Sequence, residues 1–389
     1  MLWRFIQARR VSIMSHDLAI LGGHIIDPAN GVDAVTDIAF KDAAVSAIGA
    51  DASAGAAETI NADGLYVTPG LIDLHTHIYW GGTSLGVDPD AYMRQSGCTT
   101  LADAGSAGPG NFHGFRAHII EPSKARILAY INASFAGIFA FSPAVMVGES
   151  GDIRLLNPME VVRVGNENRD VIVGVKVRVG LVASGGIGAA PLDIAIEAAD
   201  ALGMPVMAHL DHPPPSRLEV LSRLRPGDIL THCYRPFPAA PTAMDGRVRE
   251  EVLAAKEMGV IFDIGHGKGS FSWSVAEAMM GAGLPPDCIS SDVHTMSAPG
   301  PAVDQLVTLS KFLHLGMGLS DIIAASTINP AKAMGRPELG GLAIGGPGDA
   351  TLLRIDNGAF PLTDANGVTV EANRRLARAG IVRDGAVLR

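Results

Sequence analysis

The residues best suited to chemistry begin at His75-Thr76-His77. Residues two apart on a strand share a face, so both imidazoles would point the same way. Neutral imidazole is a good ligand for a divalent cation, and a carboxylate can complete such a site. The chain has 12 histidines, so one His-x-His pair is weak by itself. Its weight comes from later apolar runs, which end at His209, His232 and Asp292. Lys176 lies inside another run, among Val173, Val175, Val177 and Val179. An ammonium buried there is costly unless it is paired or neutralised. Two readings stay open for it. One is a lysine that snorkels or pairs with a carboxylate. The other is a lysine carboxylated by CO2, whose carbamate would bridge two cations.

Something must bring these side chains to one place. Short apolar runs at 71–75, 99–102, 126–131, 171–177, 205–209, 228–232, 260–264 and 288–292 alternate with helix-like stretches. Eight βα units suggest a closed (β/α)8 barrel of the TIM type, spanning 67–336. In such a barrel the active site lies at the C-terminal ends of the strands. His75, His209, His232 and Asp292 would then meet on one rim, with Lys176 reaching the same space. A doubly wound open sheet is the competing architecture, but no Gly-x-Gly-x-x-Gly fingerprint marks a first strand–helix turn. Strand-like runs at 18–27, 37–40, 44–48, 59–61 and 65–67 read as a β meander. Others follow at 350–355, 368–370 and 380–387. The two β-rich ends, 16–66 and 337–389, are expected to pair into one small β-sandwich domain. Residues 1–15 carry Arg4, Arg9 and Arg10 but lack the continuous apolar core of a secretory signal. They read as a disordered extension, or as an overcalled start with Met14 as the initiator.

Composition narrows the partner. The formal net charge is -10 and there is no long Lys/Arg run, which disfavours nucleic acid and favours a small-molecule substrate. Cys98, Cys233 and Cys288 are too few, and odd in number, for a disulfide framework. A reducing, cytoplasmic location is expected. No run of 18 uninterrupted apolar residues is present, so no membrane partner is expected. Self-association as a homo-oligomer is left open.

The stretch Val67-Thr68-Pro69-Gly70-Leu71-Ile72-Asp73-Leu74-His75-Thr76-His77 resembles the strand-one signature of the amidohydrolase superfamily. The ordered set His75, His77, Lys176, His209, His232, Asp292 resembles its binuclear subtype with a carboxylated lysine. The split β domain and Asn329-Pro330-Ala331 are similar too. The resemblance implies that His75, His77 and Asp292 hold one metal and that His209 and His232 hold the other. Lys176, as N6-carboxylysine, and a hydroxide would bridge the pair. Zinc is favoured by the ligand types. Asp292 would take the proton of the attacking hydroxide and pass it to the leaving group.

Substrate choice lies outside the metal ligands. Dihydroorotases of this superfamily carry His-x-His-x-Arg on strand one, and the corresponding position here is Tyr79. Lys176-Val177-Arg178, His232-Cys233-Tyr234-Arg235-Pro236 and Gly265-His266-Gly267 with Ser270-Phe271-Ser272 resemble the deacetylase branch. That resemblance implies removal of acetyl groups from small α-substituted carboxylic acids, such as acetyl-mandelate and N-acetyl amino acids. Arg178, Tyr234 and His266 are the candidate substrate contacts. Arg178 could grip a carboxylate by a bidentate pair, or form a structural salt bridge at the rim. His266 could approach substrate or simply make a turn. A cyclic-amide hydrolase of the dihydroorotase or hydantoinase kind is the alternative function. A non-catalytic assembly protein is a third, against which the complete ligand set argues.

Overall fold

Seven of the apolar runs pair side by side as parallel strands in the computed structural model, which describes residues 16–388. The segment 1–15, expected to be an extension, lies outside the described residues. The order of the strands in space is their order in the chain: Leu71–Thr76, Cys98–Ala104, Arg126–Asn132, Ile172–Val179, Val206–Leu210, Ile229–Thr231 and Ile261–Asp263. Parallel strands wrapped by helices are covered on both faces, so they read as continuous apolar runs rather than alternating ones. Every residue of Leu71–Thr76, Cys98–Ala104 and Ile172–Val179 is buried.

The eighth run closes the ring without forming a regular strand. Single bridges tie it to both neighbours, Asp263 to Cys288 and Thr76 to Val293. Asp292 N donates to His75 O at 2.8 Å, and His77 N to Val293 O at 2.9 Å. Elsewhere on this seam, side chains replace the backbone ladder. Gln305 Nε2 donates to the carbonyls of Ile72 and Ile289, each at 2.9 Å. The Asp73 carboxylate accepts from Ser291 N at 3.0 Å and from Ser291 Oγ at 2.6 Å. Buried backbone groups need partners, and here a glutamine and an aspartate supply them. The result is a TIM-type barrel.

Local chemistry sets the helices between strands. In Pro89–Ser96, Asp88 caps the first turn by accepting from Asp90 N and Ala91 N. Proline opens the helix, and Gly97 at φ 79° ends it.

The two chain ends form the small β domain. Tyr66–Pro69 pairs antiparallel with Ala350–Thr363, placing Val67 opposite Leu352. Both belong to one eight-stranded mixed sheet. The leading segment is not the meander expected. His16–Asp27 pairs antiparallel with Val32–Lys41 but parallel with Ala56–Asn61 and Tyr66–Pro69, because the chain crosses to the other edge of that strand after Ala44–Ile48. Leu18, Ile20, Ile38 and Phe40 from one end share a core with Leu352 and Val382 from the other. The hairpin of Ala350–Thr363 and Thr369–Arg383 also reaches back to the barrel. There Trp273 N donates to Asp364 Oδ2 at 3.1 Å, and Trp273 Nε1 to Leu362 O at 3.3 Å. Among the described residues no single helix is long and apolar enough to cross a membrane.

Candidate active site

His75, His77, Lys176, His209, His232 and Asp292 all line one cavity of about 40 Å3 at the strand ends. That space suits a few ions or waters and nothing larger. Asp292 Oδ1 lies 3.4 Å from His75 Nε2 and 3.2 Å from His77 Nε2. These three residues offer donor atoms that all fall within 4.8 Å of one another. The His232 ring sits 5.0 Å from that of His75 and 4.5 Å from that of His209. Lys176 is fully buried, with Nζ 3.4 Å from His75 Nε2. Among the described residues it forms no direct ion pair, and Asp292, Asp263 and Glu149 act on its charge only through space.

The outward nitrogens of three imidazoles are held. His75 Nδ1 meets Thr231 Oγ1 at 2.8 Å, and that hydroxyl donates to Asp263 Oδ2 at 2.7 Å. His232 Nδ1 donates to Gly265 O at 2.6 Å. His77 Nδ1 meets Ser106 Oγ at 2.9 Å. Such contacts orient a ligating imidazole and fix its tautomer. Among the described residues His209 Nε2 is buried with no hydrogen-bond partner, Asp211 Oδ2 lying 4.0 Å away. A buried imidazole nitrogen left without a hydrogen bond is what a cation would satisfy.

Electrostatics agree with a metal-binding role. Burial holds His75, His209 and His232 well below the usual histidine range, and neighbouring imidazoles and cations add to the effect. Burial likewise lowers His77 to about 3 and Lys176 to about 7, and raises Asp292 to about 6. The histidines are therefore neutral, as ligands must be. His232 at φ 64° and Asp292 at φ 48° occupy the left-handed region. His and Asp enter that region more readily than most residues, at a cost on the order of 1–3 kcal/mol each. His232 directly follows the strand Ile229–Thr231, and Asp292 is pinned by its N–H bond to His75 O at 2.8 Å.

The predicted substrate contacts divide. Arg178 lines the cavity, but its Nη1 donates to the fully buried Glu149 at 3.0 Å. Its guanidinium also lies over the Phe141 ring at 5.0 Å. Tyr234 does not reach the site. It is buried against Phe312, and its hydroxyl donates to Leu284 O at 2.6 Å. His266 is also turned away: it stacks on Phe271 at 4.9 Å and meets Lys311 Nζ. The positive φ of His232 and of Gly265, 45°, breaks the two-residue alternation that would have aimed both inward. In Gly265-His266-Gly267 it is the glycines that face the ligands. A Cβ on Gly267 would lie 2.1 Å from Asp292 Oδ2, and one on Gly265 2.9 Å from both His232 Nδ1 and His75 Nδ1.

Tyr234→Phe is accordingly expected to leave kcat/KM unchanged and to lower stability by about 1 kcal/mol, the scale of one buried hydrogen bond. Steady-state kinetics and urea unfolding measure the two effects.

Sequence reasoning missed His294, Phe141 and Arg235. The His294 ring lies 6.1 Å from that of His77 and 5.9 Å from that of Phe141. Its spacing from Asp292 repeats that of His75 and His77, a signal that was there to use. Phe141, on a short hairpin far along the chain, carries no such mark. Tyr79 packs on Phe115 at 4.7 Å, and its hydroxyl donates to Asn111 O at 3.3 Å. It is not part of the cavity wall.

A model of the Amidohydrolase family matches residues 58–116, the segment holding His75 and His77. Over 344 residues the chain is 38% identical to a deacetylase of Brucella anthropi, covering 88% of this chain and 85% of that one. The chain belongs to the amidohydrolase family. It is a hydrolase. Among solved structures, an adenine deaminase matches with a TM-score of 0.89 at 30% identity, covering 96% of this chain and 99% of that one. A dihydroorotase matches with a TM-score of 0.88 at 34% identity, covering 95% and 97%. These two proteins carry different activities in their names, so the likeness fixes the architecture and leaves the substrate to the residues that line the cavity.

Proposed function

We propose that this amidohydrolase removes the acetyl group from small acetylated α-hydroxy acids, of the acetyl-mandelate kind, or from N-acetyl amino acids. The observation that carries this reading over a cyclic-amide one is Tyr79. Where a dihydroorotase has an arginine for its substrate, this chain has a tyrosine packed on Phe115 outside the cavity. The likeness to a deacetylase along 88% of the chain supports the same choice.

His75, His77 and Asp292 would hold one divalent cation and His209 and His232 a second, with carboxylated Lys176 between them. Zinc suits these donors. Bound there, two cations supply water of lowered pKa and polarise an acyl carbonyl. Asp292 then handles the proton. It accepts one as the water oxygen bonds to the acyl carbon, and returns it to the leaving oxygen or nitrogen as that bond to carbon breaks. Acetate and the free hydroxy or amino acid result. Cys98, Cys233 and Cys288 are free and buried, which supports a cytoplasmic setting.

A cyclic-amide hydrolase is the second reading, favoured by the 34% identity to a dihydroorotase structure. A screen of the zinc-loaded chain separates the two. It compares acetylated α-hydroxy acids, N-acetyl-D- and L-amino acids, dihydroorotate and hydantoins. Turnover of the acetyl compounds is expected, and turnover of dihydroorotate alone overturns the proposal.

A further inference from the structure

We infer that Arg235 is the anchor for a carboxylate on the substrate, and that Arg178 is not. The inference deepens the deacetylase reading and rests on it for what is cleaved. The anchor itself is argued from two adjoining chambers.

The inner chamber, about 40 Å3, holds the proposed ligands. An outer one of about 420 Å3 opens onto it, and Phe141, Arg178, His209, Asp292 and His294 line both. The inner space is too small for a whole organic molecule. A substrate can therefore present only its reacting group at the shared wall, and the rest of it must occupy the outer chamber.

Three strong cations line the outer chamber: Arg178, Arg235 and Lys268. They are not equivalent. Arg178 already pairs with buried Glu149 at 3.0 Å. Lys268 is exposed, so water screens it. Arg235 Nη1 is buried and has no hydrogen-bond partner, and among the described residues its guanidinium forms no ion pair. Its backbone is fixed to the strand end, with Arg235 N donating to His232 O at 3.2 Å. Besides Asp292, the carboxylate in this wall is Asp211. That group is already engaged, accepting from the backbone N–H of Val182, Ala183 and His212.

A guanidinium with a buried, unpaired N–H is expensive to maintain. It also has the right fork for a carboxylate, which accepts two parallel N–H bonds. A neutral substrate would leave the cost standing, whereas a carboxylate would remove it. Pro143, Met146 and Met296 line the same chamber, so the acid that fits carries an apolar substituent. The geometry thus selects small, apolar monocarboxylates.

The test reads binding without turnover. Calorimetry with the metal-loaded full chain compares mandelate with its uncharged carboxamide, neither of which has an acetyl group to lose. Wild type is expected to prefer the acid by about 10- to 100-fold, the range for a hydrogen bond to a charged group. In Arg235→Met the preference should vanish while the affinity for the amide stays the same. Arg235→Lys should keep part of it, and serves as the deciding variant if the methionine one does not fold. Equal binding of acid and amide by wild type overturns the inference. So does a preference that survives undiminished in either variant, because the anion would then rest on other groups. If the acid preference depends on Arg235 but no acetylated acid is turned over, the deacetylase reading fails and the anchor stands.

Discussion

Asp292→Asn is expected to lose about 10²- to 10⁴-fold in kcat, the usual share of a general acid–base group, with its cation content nearly unchanged. The substitution is close to isosteric. Asparagine tolerates the left-handed φ of 48° as readily as aspartate. The backbone bond from residue 292 N to His75 O and the one from Ser297 Oγ to residue 292 O do not involve the side chain. An amide oxygen can still face His75 and His77, but an amide cannot take up a proton near neutral pH. The loss should depend on the leaving group. An amide nitrogen departs only once protonated, so N-acetyl substrates should suffer most. Aryl acetates, whose leaving oxygen is a weak base, should suffer least. Steady-state kinetics on both classes, with metal analysis and thermal unfolding of the same preparations, check each part. Full activity in the variant would remove Asp292 from the proton path.

The same residues show why some of this site could be read from the sequence and some could not. Where a strand is regular, alternation holds. Lys176 and Arg178 lie two apart within Ile172–Val179, and both reach the cavity. His75 and His77 do so as well. Alternation stops at a residue with positive φ. Tyr234 follows His232, at φ 64°, by two residues and is turned into the core. His266 follows Gly265, at φ 45°, and stacks on Phe271. Sign of φ at a strand end is decided by the surrounding fold and leaves little trace in residue type when the residue is histidine. The barrel was legible because burial on both faces writes continuous apolar runs. Its last seam was not, because Gln305 and Asp73 close it with side chains from distant positions. The unbonded Nη1 of Arg235 was hidden for a related reason. Alternation with Lys176 points to Arg178 in sequence, and only the fold shows that buried Glu149 already holds it.

Lys176→Ala is expected to reduce bound cation from two per chain to about one and to lower kcat by roughly 10²- to 10³-fold, the scale for losing one group that stabilises a developing oxyanion. The case rests on what surrounds the amine. Lys176 is fully buried, its Nζ is 3.4 Å from His75 Nε2, and among the described residues no carboxylate forms a direct ion pair with it. A buried, unpaired ammonium is among the most unfavourable groups a protein can hold. Two routes relieve it: loss of the proton, or conversion of the free amine by CO2 to a carbamate with release of a proton. The second route also supplies an anion where His209 Nε2, 4.0 Å from Asp211 Oδ2, has no hydrogen-bond partner among the described residues and the nearby imidazoles are neutral. A cation site built from His209 and His232 alone would be incomplete without it. Removing Lys176 therefore removes a ligand as well as a charge, and the site on His75, His77 and Asp292 should be the one that survives. Metal analysis of wild type and variant gives the stoichiometry, and intact mass under native conditions shows whether wild type carries the added CO2. Two cations per chain in the alanine variant, or an unmodified amine in fully loaded wild type, would leave Lys176 without a bridging role.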